Sequence, residues 1–202
     1  MKSFLGLSAA LGFLLFAAGC SHVPITSLPR LAAFDPATAD LSTLRAAVRA
    51  PDALRPVPGG AVLTMTFWRA GAETQKTTVA AVLEEDGDAA LRAALKTDEK
   101  PGFRITVFRL SEDGRRRLEV AREEMRSLKA QEAAKGGRVR GSLSVGVKGC
   151  SAGPLPDGPI LLSTYLRPGP SDAFIPLVVD LDLKALAAEA KADPAPIEPC
   201  AR

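Results

Sequence analysis

The feature that most limits what this chain can fold into is a two-residue alternation of apolar and polar side chains, repeated in short runs. It is cleanest from Arg138 to Lys148. There Val139, Leu143, Val145 and Val147 share one face, with Gly141 between them, and Arg138, Arg140, Ser142, Ser144 and Lys148 share the other. Successive side chains of a strand point to opposite faces, so this pattern buries one face and wets the other, as in an antiparallel sheet. Ala61–Arg69 alternates in the same way, with Leu63, Met65 and Phe67 against Val62, Thr64, Thr66 and Trp68. A short turn around residues 70–73 leads into Thr77–Leu83, and the two runs form a hairpin. Leu44–Ala50, Phe103–Leu110, Ile160–Arg167 and Phe174–Leu181 read as further strands. In Phe103–Leu110, Phe103, Ile105 and Val107 oppose Arg104, Thr106 and Phe108. The last two runs are joined by the turn at residues 168–172, and Pro176 places the final strand at an edge. Pro51–Gly60, with Pro56, Pro58 and the Gly59-Gly60 pair, reads as a loop.

One segment changes the period. Ser111 is placed to cap a helix whose first turn holds Glu112 and Asp113, acids that the helix dipole favours there. Leu118, Ala121, Met125 and Leu128 then form an apolar stripe at helical spacing, and the helix is predicted to run to about Ala134, where Gly136-Gly137 ends it. Asp113-Gly114 is also a hairpin signal and would delay the helix start. Shorter helices are predicted at 89–95 and 184–190. Strands joined mostly by turns around one long helix imply an α+β fold: a mainly antiparallel sheet of about six or seven strands with one long amphipathic helix. This domain is expected over residues 41–202. Its tail holds Pro194, Pro196 and Pro199, which forbid regular structure.

The residues before it have another character. Lys2 precedes an apolar run from Phe4 to Phe16, and Ala17-Ala18-Gly19-Cys20 follows. A short positive start, an apolar core and a small-residue end make a secretory signal. Phe4–Gly19 falls short of the roughly 20 apolar residues that cross a bilayer as a helix. Its end resembles the lipobox of bacterial lipoproteins, with Ala17 where that family usually has Leu. The resemblance implies cleavage before Cys20, a diacylglyceryl thioether on Cys20 and acylation of the new amine, so that residues 1–19 are a signal peptide. Ordinary signal cleavage competes with this reading, because Ala17 and Gly19 also suit it. By the same resemblance, Ser21 in place of Asp implies the outer membrane of a two-membrane cell, at its periplasmic face. Residues 20–40 are then a lipidated tether. Pro24, Pro29 and Pro36 interrupt it, and as a flexible chain it reaches about 25 Å. Its patch Leu31-Ala32-Ala33-Phe34 is a candidate to dock on the domain.

Cutting before Cys20 removes 19 of the 202 residues and leaves 183, a length that suits one domain with a sizeable core. The net charge of +3 falls to +2 with the loss of Lys2, a balance that points to no nucleic acid partner. With Cys20 in the anchor, Cys150 and Cys200 remain as an even pair in an exported chain, and a disulfide between them is expected. Closing that loop is worth about 4 kcal/mol in the chain-entropy model. Two free thiols or an intermolecular bridge are the alternatives.

The lone histidine, His22, lies in the tether, a poor place for a general base, so histidine-based triads and multi-histidine zinc sites are not expected. Ser142-Leu143-Ser144-Val145-Gly146 departs from the nucleophile-elbow pattern at its first position and sits in a predicted strand. The acidic run 84–88 offers oxygens to calcium but lacks EF-hand spacing. The carboxylate pairs Glu84/Asp86 and Glu123/Glu124 keep two-carboxylate hydrolysis open. The basic run Arg115-Arg116-Arg117 is interleaved with acids, which favours pairing along a helix surface over lipid headgroups. No catalytic residue, cofactor or metal is assigned. The expected role is that of a membrane-anchored envelope lipoprotein, a non-enzymatic binding or structural accessory that contacts the membrane and an envelope protein. A carrier of lipid or another apolar ligand is the alternative, followed by a carboxylate-dependent glycan hydrolase.

Overall fold

In the computed structural model, which describes residues 24–189 and 197–201, seven strands form one antiparallel sheet. They are β1 (Arg45–Pro51), β2 (Leu54–Arg69), β3 (Thr77–Glu85), β4 (Phe103–Leu110), β5 (Val139–Ser151), β6 (Leu161–Arg167) and β7 (Ile175–Asp182). Their order across the sheet is β5-β2-β3-β4-β1-β6-β7, so β5 and β7 are the edges. The sheet curls until it is nearly closed. Four helices accompany it: α1 (Leu28–Ala33), α2 (Ala89–Ala93), α3 (Glu112–Ala133) and α4 (Leu183–Glu189). The α+β class, the strand alternation and the long helix are as the sequence implies.

The main core fills the inner face of the sheet. Leu63, Met65 and Phe67 of β2, Ala81 and Leu83 of β3, Phe108 and Leu110 of β4, Leu166 of β6 and Leu177 of β7 meet Leu118, Ala121 and Met125 of α3. The outer side of the central strands buries a second, smaller cluster. Ala47, Val107 and Tyr165 pack there with Leu91, Leu95 and Phe174. β4 is therefore covered on both faces, by the second cluster over Ile105 and Val107 and by the main core over Phe108 and Leu110.

Three details differ from the sequence reading. Pro51–Gly60 is not a loop: β2 begins at Leu54, and Pro56 pairs with Gly149 before pairing resumes at Ala61 with Val147. β2 spends residues 57–60 where β5 spends only Lys148, so a bulge absorbs the prolines and glycines. Gly59 there has φ +69°, and a Cβ on Gly60 would lie 2.8 Å from the Lys148 carbonyl oxygen. Second, Asp113-Gly114 makes no hairpin. Ser111 Oγ accepts the Gly114 amide at 2.9 Å and starts α3 at Glu112. Third, the docking expected of the patch at 31–34 extends along more of the chain. From residue 25 a 3-10 turn and α1 lie on the domain, and Leu31, Phe34, Ala37, Leu41 and Leu44 join the main core. α3 fastens this segment: Arg122 donates to the Ala37 carbonyl and Lys129 pairs with Asp35 at 3.0 Å.

Gly114 marks the tightest helix–sheet contact. A Cβ there would lie 2.5 Å from the Val82 carbonyl oxygen. Alanine gains about 1 kcal/mol over glycine in a helix, but overpacking against backbone costs about 1–3 kcal/mol. Gly114→Ala is therefore expected to lower stability by up to about 2 kcal/mol, read as a lower urea midpoint. An unchanged or higher midpoint means that α3 has room to move off β3.

Candidate functional site

Cys20 and His22 lie outside the described residues. The Cys150–Cys200 disulfide is present and joins residues 50 apart in sequence. It fastens a short piece of chain to the end of β5. The Ser151 amide donates to the Glu198 carbonyl at 2.8 Å, and the Cys200 amide donates to the Ser151 carbonyl at 2.9 Å. Pro199, which has no amide hydrogen to donate, sits between these two bonds. In this way Ile197 is held over one end of the curled sheet.

Beneath Ile197 lies a cavity of about 170 Å³. Val48 of β1, Leu54 of β2, Val147 of β5, Leu162 of β6 and Leu183 of α4 supply its apolar walls. The sequence places these residues there by ordinary strand alternation, and Leu54 and Pro56 share a side for the same reason. Two cations, Arg55 and Arg104, join the lining. Arg104 stands 4.0 Å from Asp52, a loose pairing. The Arg55 guanidinium carries a buried Nη1 with no hydrogen-bond partner among the described residues. A wider groove of about 680 Å³ lies at the other end, between residues 31–36 and β5, with Met65, Met125, Leu143 and Leu177 in its lining.

A second constellation was not visible in the sequence. Arg49 on β1 points to the outer side and is nearly sealed from water, its side chain only 4% exposed. Its Nη2 meets Asp180 Oδ1 at 2.6 Å and Ser163 Oγ at 2.9 Å, and its Nη1 donates to the Asp98 carbonyl at 2.7 Å. Lys100 Nζ takes the other Asp180 oxygen at 2.7 Å. These hydrogen bonds satisfy the buried guanidinium, as a charge in that place requires. They also hold Asp180 at φ +51°, a left-handed backbone that few side chains other than Asn and Asp adopt readily. Tyr165 stands nearby, with a buried hydroxyl that has no partner among the described residues. Burial pushes its pKa up to about 12, against the pull of the Arg49 cation. The cluster ties β1, β6 and β7 to the loop before β4. Arg49 and Tyr165 are buried, so it reads as a staple and not as a reaction centre.

The carboxylates singled out in the sequence are dispersed. Asp86 pairs with Arg45 at 2.7 Å, Glu84 with Arg109 at 3.5 Å, and Glu123 with Arg126 at 2.6 Å. Asp88 accepts the Ala90 amide and caps α2. The acidic run 84–88 is thus spent on a strand end, an ion pair and a cap. Arg115, Arg116 and Arg117 pair along α3 with Glu119, Glu112 and Asp113. Ser142 and Ser144 lie on the exposed face of β5. The cavity and the Arg49 cluster escaped the sequence reading because their members come from distant strands; the only local signal was an arginine at an alternating position in each. No protein-family model, curated protein or solved structure matches this chain.

Lys100, then Arg49, hold the Asp180 carboxyl below the ordinary value of 3.8. A depressed carboxylate pKa adds stability in full above the unfolded value and loses it as pH falls through the native one. Asp180→Asn keeps the backbone preference but removes the charge that faces Arg49. It is expected to cost about 2 kcal/mol near neutral pH, and the gap in urea midpoint between variant and parent should close as pH drops below 3.8. A gap that stays constant down to acid pH contradicts a charged Asp180.

Proposed function

We propose that the chain is a membrane-anchored envelope lipoprotein acting as a non-enzymatic binding or structural accessory, held through Cys20 at the periplasmic face of the outer membrane. The observation that carries this reading is the arrangement of the residues that follow Cys20. Ser27 is already buried on the domain, and it lies seven positions after Cys20. Seven residues span at most about 25 Å however they are arranged. An acylated Cys20 would therefore keep the domain close to the bilayer.

Ile25 and Leu28 lie on this stretch and are 82% and 51% exposed. Their side chains lie open at the start of the segment, while Leu31 and Phe34 further along it pack inward. Two apolar side chains beside an anchor suit the boundary between headgroups and acyl chains. Magnitudes divide the work. Each buried methylene of an acyl chain adds about 0.8 kcal/mol, whereas burying an entire Leu or Ile side chain adds about 1.5–3 kcal/mol. The acyl chains retain the protein, and Ile25 and Leu28 orient it.

A second reading, a carrier of an apolar ligand, is favoured by the cavity under Ile197. At about 170 Å³ it is smaller than the roughly 300–1,000 Å³ of most ligand sites, so a whole diacyl lipid does not fit.

Cys20→Ser is expected to move the protein from the membrane fraction to the soluble one. In the anchored protein, a fluorophore at position 28 is expected to be quenched by brominated lipid. One at position 120, where exposed Val120 lies on α3, is expected to be spared. Equal quenching at both sites, or membrane retention of the serine variant, defeats the proposal.

A further inference from the structure

We infer that the open edge of β5, from Val139 to Val145, takes an extended segment of a partner protein as an eighth strand, apolar toward the core and acidic toward the outer face. This rests on the reading of the chain as a binding accessory and gives that role a surface; it does not depend on the acyl group. The register shows the edge. The Ala70 amide donates to the Arg138 carbonyl at 2.9 Å, and the Ala152 amide donates to the Ala53 carbonyl at 2.7 Å. In an antiparallel pair the backbone groups of successive residues turn to alternate sides. The even-numbered residues of β5 therefore face β2, and the odd-numbered ones face away from it. Ser151 follows this rule, and its outward amide and carbonyl meet Glu198 and Cys200. Val139, Gly141, Leu143 and Val145 turn the same way, and no strand among the described residues meets them. Ser151 and its cap lie about 26 Å along the strand from Leu143.

Two further observations converge on this edge. Val139, Leu143 and Val145 point inward yet are only half-buried. Beside them runs the groove of about 680 Å³, where Leu166 of β6 and Leu177 of β7 also stand. Its volume is roughly four times the ~150 Å³ that holds a benzene ring, room for the two or three side chains that a short strand turns inward. Bare backbone along an apolar groove is the setting for strand addition. An acyl chain laid there would strip water from the amides and give no hydrogen bond in return. Charge narrows the occupant further. Arg138, Arg140 and Lys148 are exposed on the outer face, with no acid within 4.0 Å among the described residues. Arg140 acts on Glu73 from beyond that distance. A second copy suits the edge poorly, because antiparallel pairing of two β5 strands about Leu143 sets Arg138 opposite Lys148, and like charges so placed repel. An acid-bearing strand meets these cations instead.

The probe is a synthetic seven-residue peptide with Val or Leu at every second position and Glu between them, added to the full acylated chain in detergent. The readout is amide hydrogen exchange. Without peptide, the amides of Gly141, Leu143 and Val145 are expected to exchange fast, and those of Arg140, Ser142 and Ser144 slowly. At ten times its Kd the peptide should slow the first three about tenfold. A peptide with Lys in place of Glu should bind about tenfold more weakly, and Arg140→Glu should narrow that gap. A peptide N-methylated on the residues that face β5 should not bind, because it has lost those donors. The Cys20→Ser chain should be protected by the peptide as the parent is. Membrane retention of that variant contradicts the anchor, whereas failure of the peptide to protect it contradicts the edge site. Slow exchange of the three amides before any peptide is added, whether from a second copy or from lipid, overturns the inference. So does a peptide that leaves them fast, or an N-methylated one that binds equally well.

Discussion

The inner face of the curled sheet has to be kept from water, and the strands cannot do it alone. An apolar surface of that size, left open, would forfeit about 25 cal/mol for every Å². α3 covers the part formed by β2 and β3, where Gly114 lets it settle against the Val82 carbonyl. Residues 31–44 cover another part with Leu31, Phe34, Ala37, Leu41 and Leu44. Ile197, strapped to β5, covers a third. The second and third covers leave space beside them, the groove next to residues 31–36 and the cavity under Ile197.

This division of labour links the fold to the proposed role. Residues 31–44 belong to the core and are fastened to α3 by Arg122 and Lys129. A lipid on Cys20 would therefore fix the position of the whole domain, since the link to the bilayer and the cover of the inner face are one stretch of chain. The outer side is organised by different means. Arg49, Asp180, Lys100 and Ser163 form a satisfied polar staple that holds β1, β6 and β7 in place near the second cluster. Edge strands invite pairing with other chains. Here β7 carries Pro176, and β5 is capped at its end by residues 198–200.

Much of this architecture was legible because it repeats a simple rule. β5, the Ala61–Arg69 part of β2 and α3 each bury one face and wet another, so their periods stand out. The Cys150–Cys200 bridge was legible from counting, once Cys20 was assigned elsewhere. Other parts carry no period. The first half of β2 hides behind Pro56, Pro58, Gly59 and Gly60, residues that signal a loop until a bulge gives them a place. Leu31 and Phe34 stood out as a docking patch, but Ala37, Leu41 and Leu44 are too scattered to announce that the buried segment continues. Arg49 and Asp180 lie 131 positions apart, and the left-handed backbone of Asp180 follows from tertiary partners that no local window contains. Arg55 has the same character: its alternating position is ordinary, and only its buried, unpartnered nitrogen makes it distinctive.

The claim on which the functional account rests is the acylation of Cys20. It is tested most directly by mass spectrometry of the N-terminal peptide of the protein taken from native membranes. The expected result is a peptide that begins at Cys20 and carries a thioether-linked diacylglycerol together with an acyl group on its amine. A peptide beginning at Cys20 with a free thiol, or an N-terminus at another residue with no acyl group, contradicts the account.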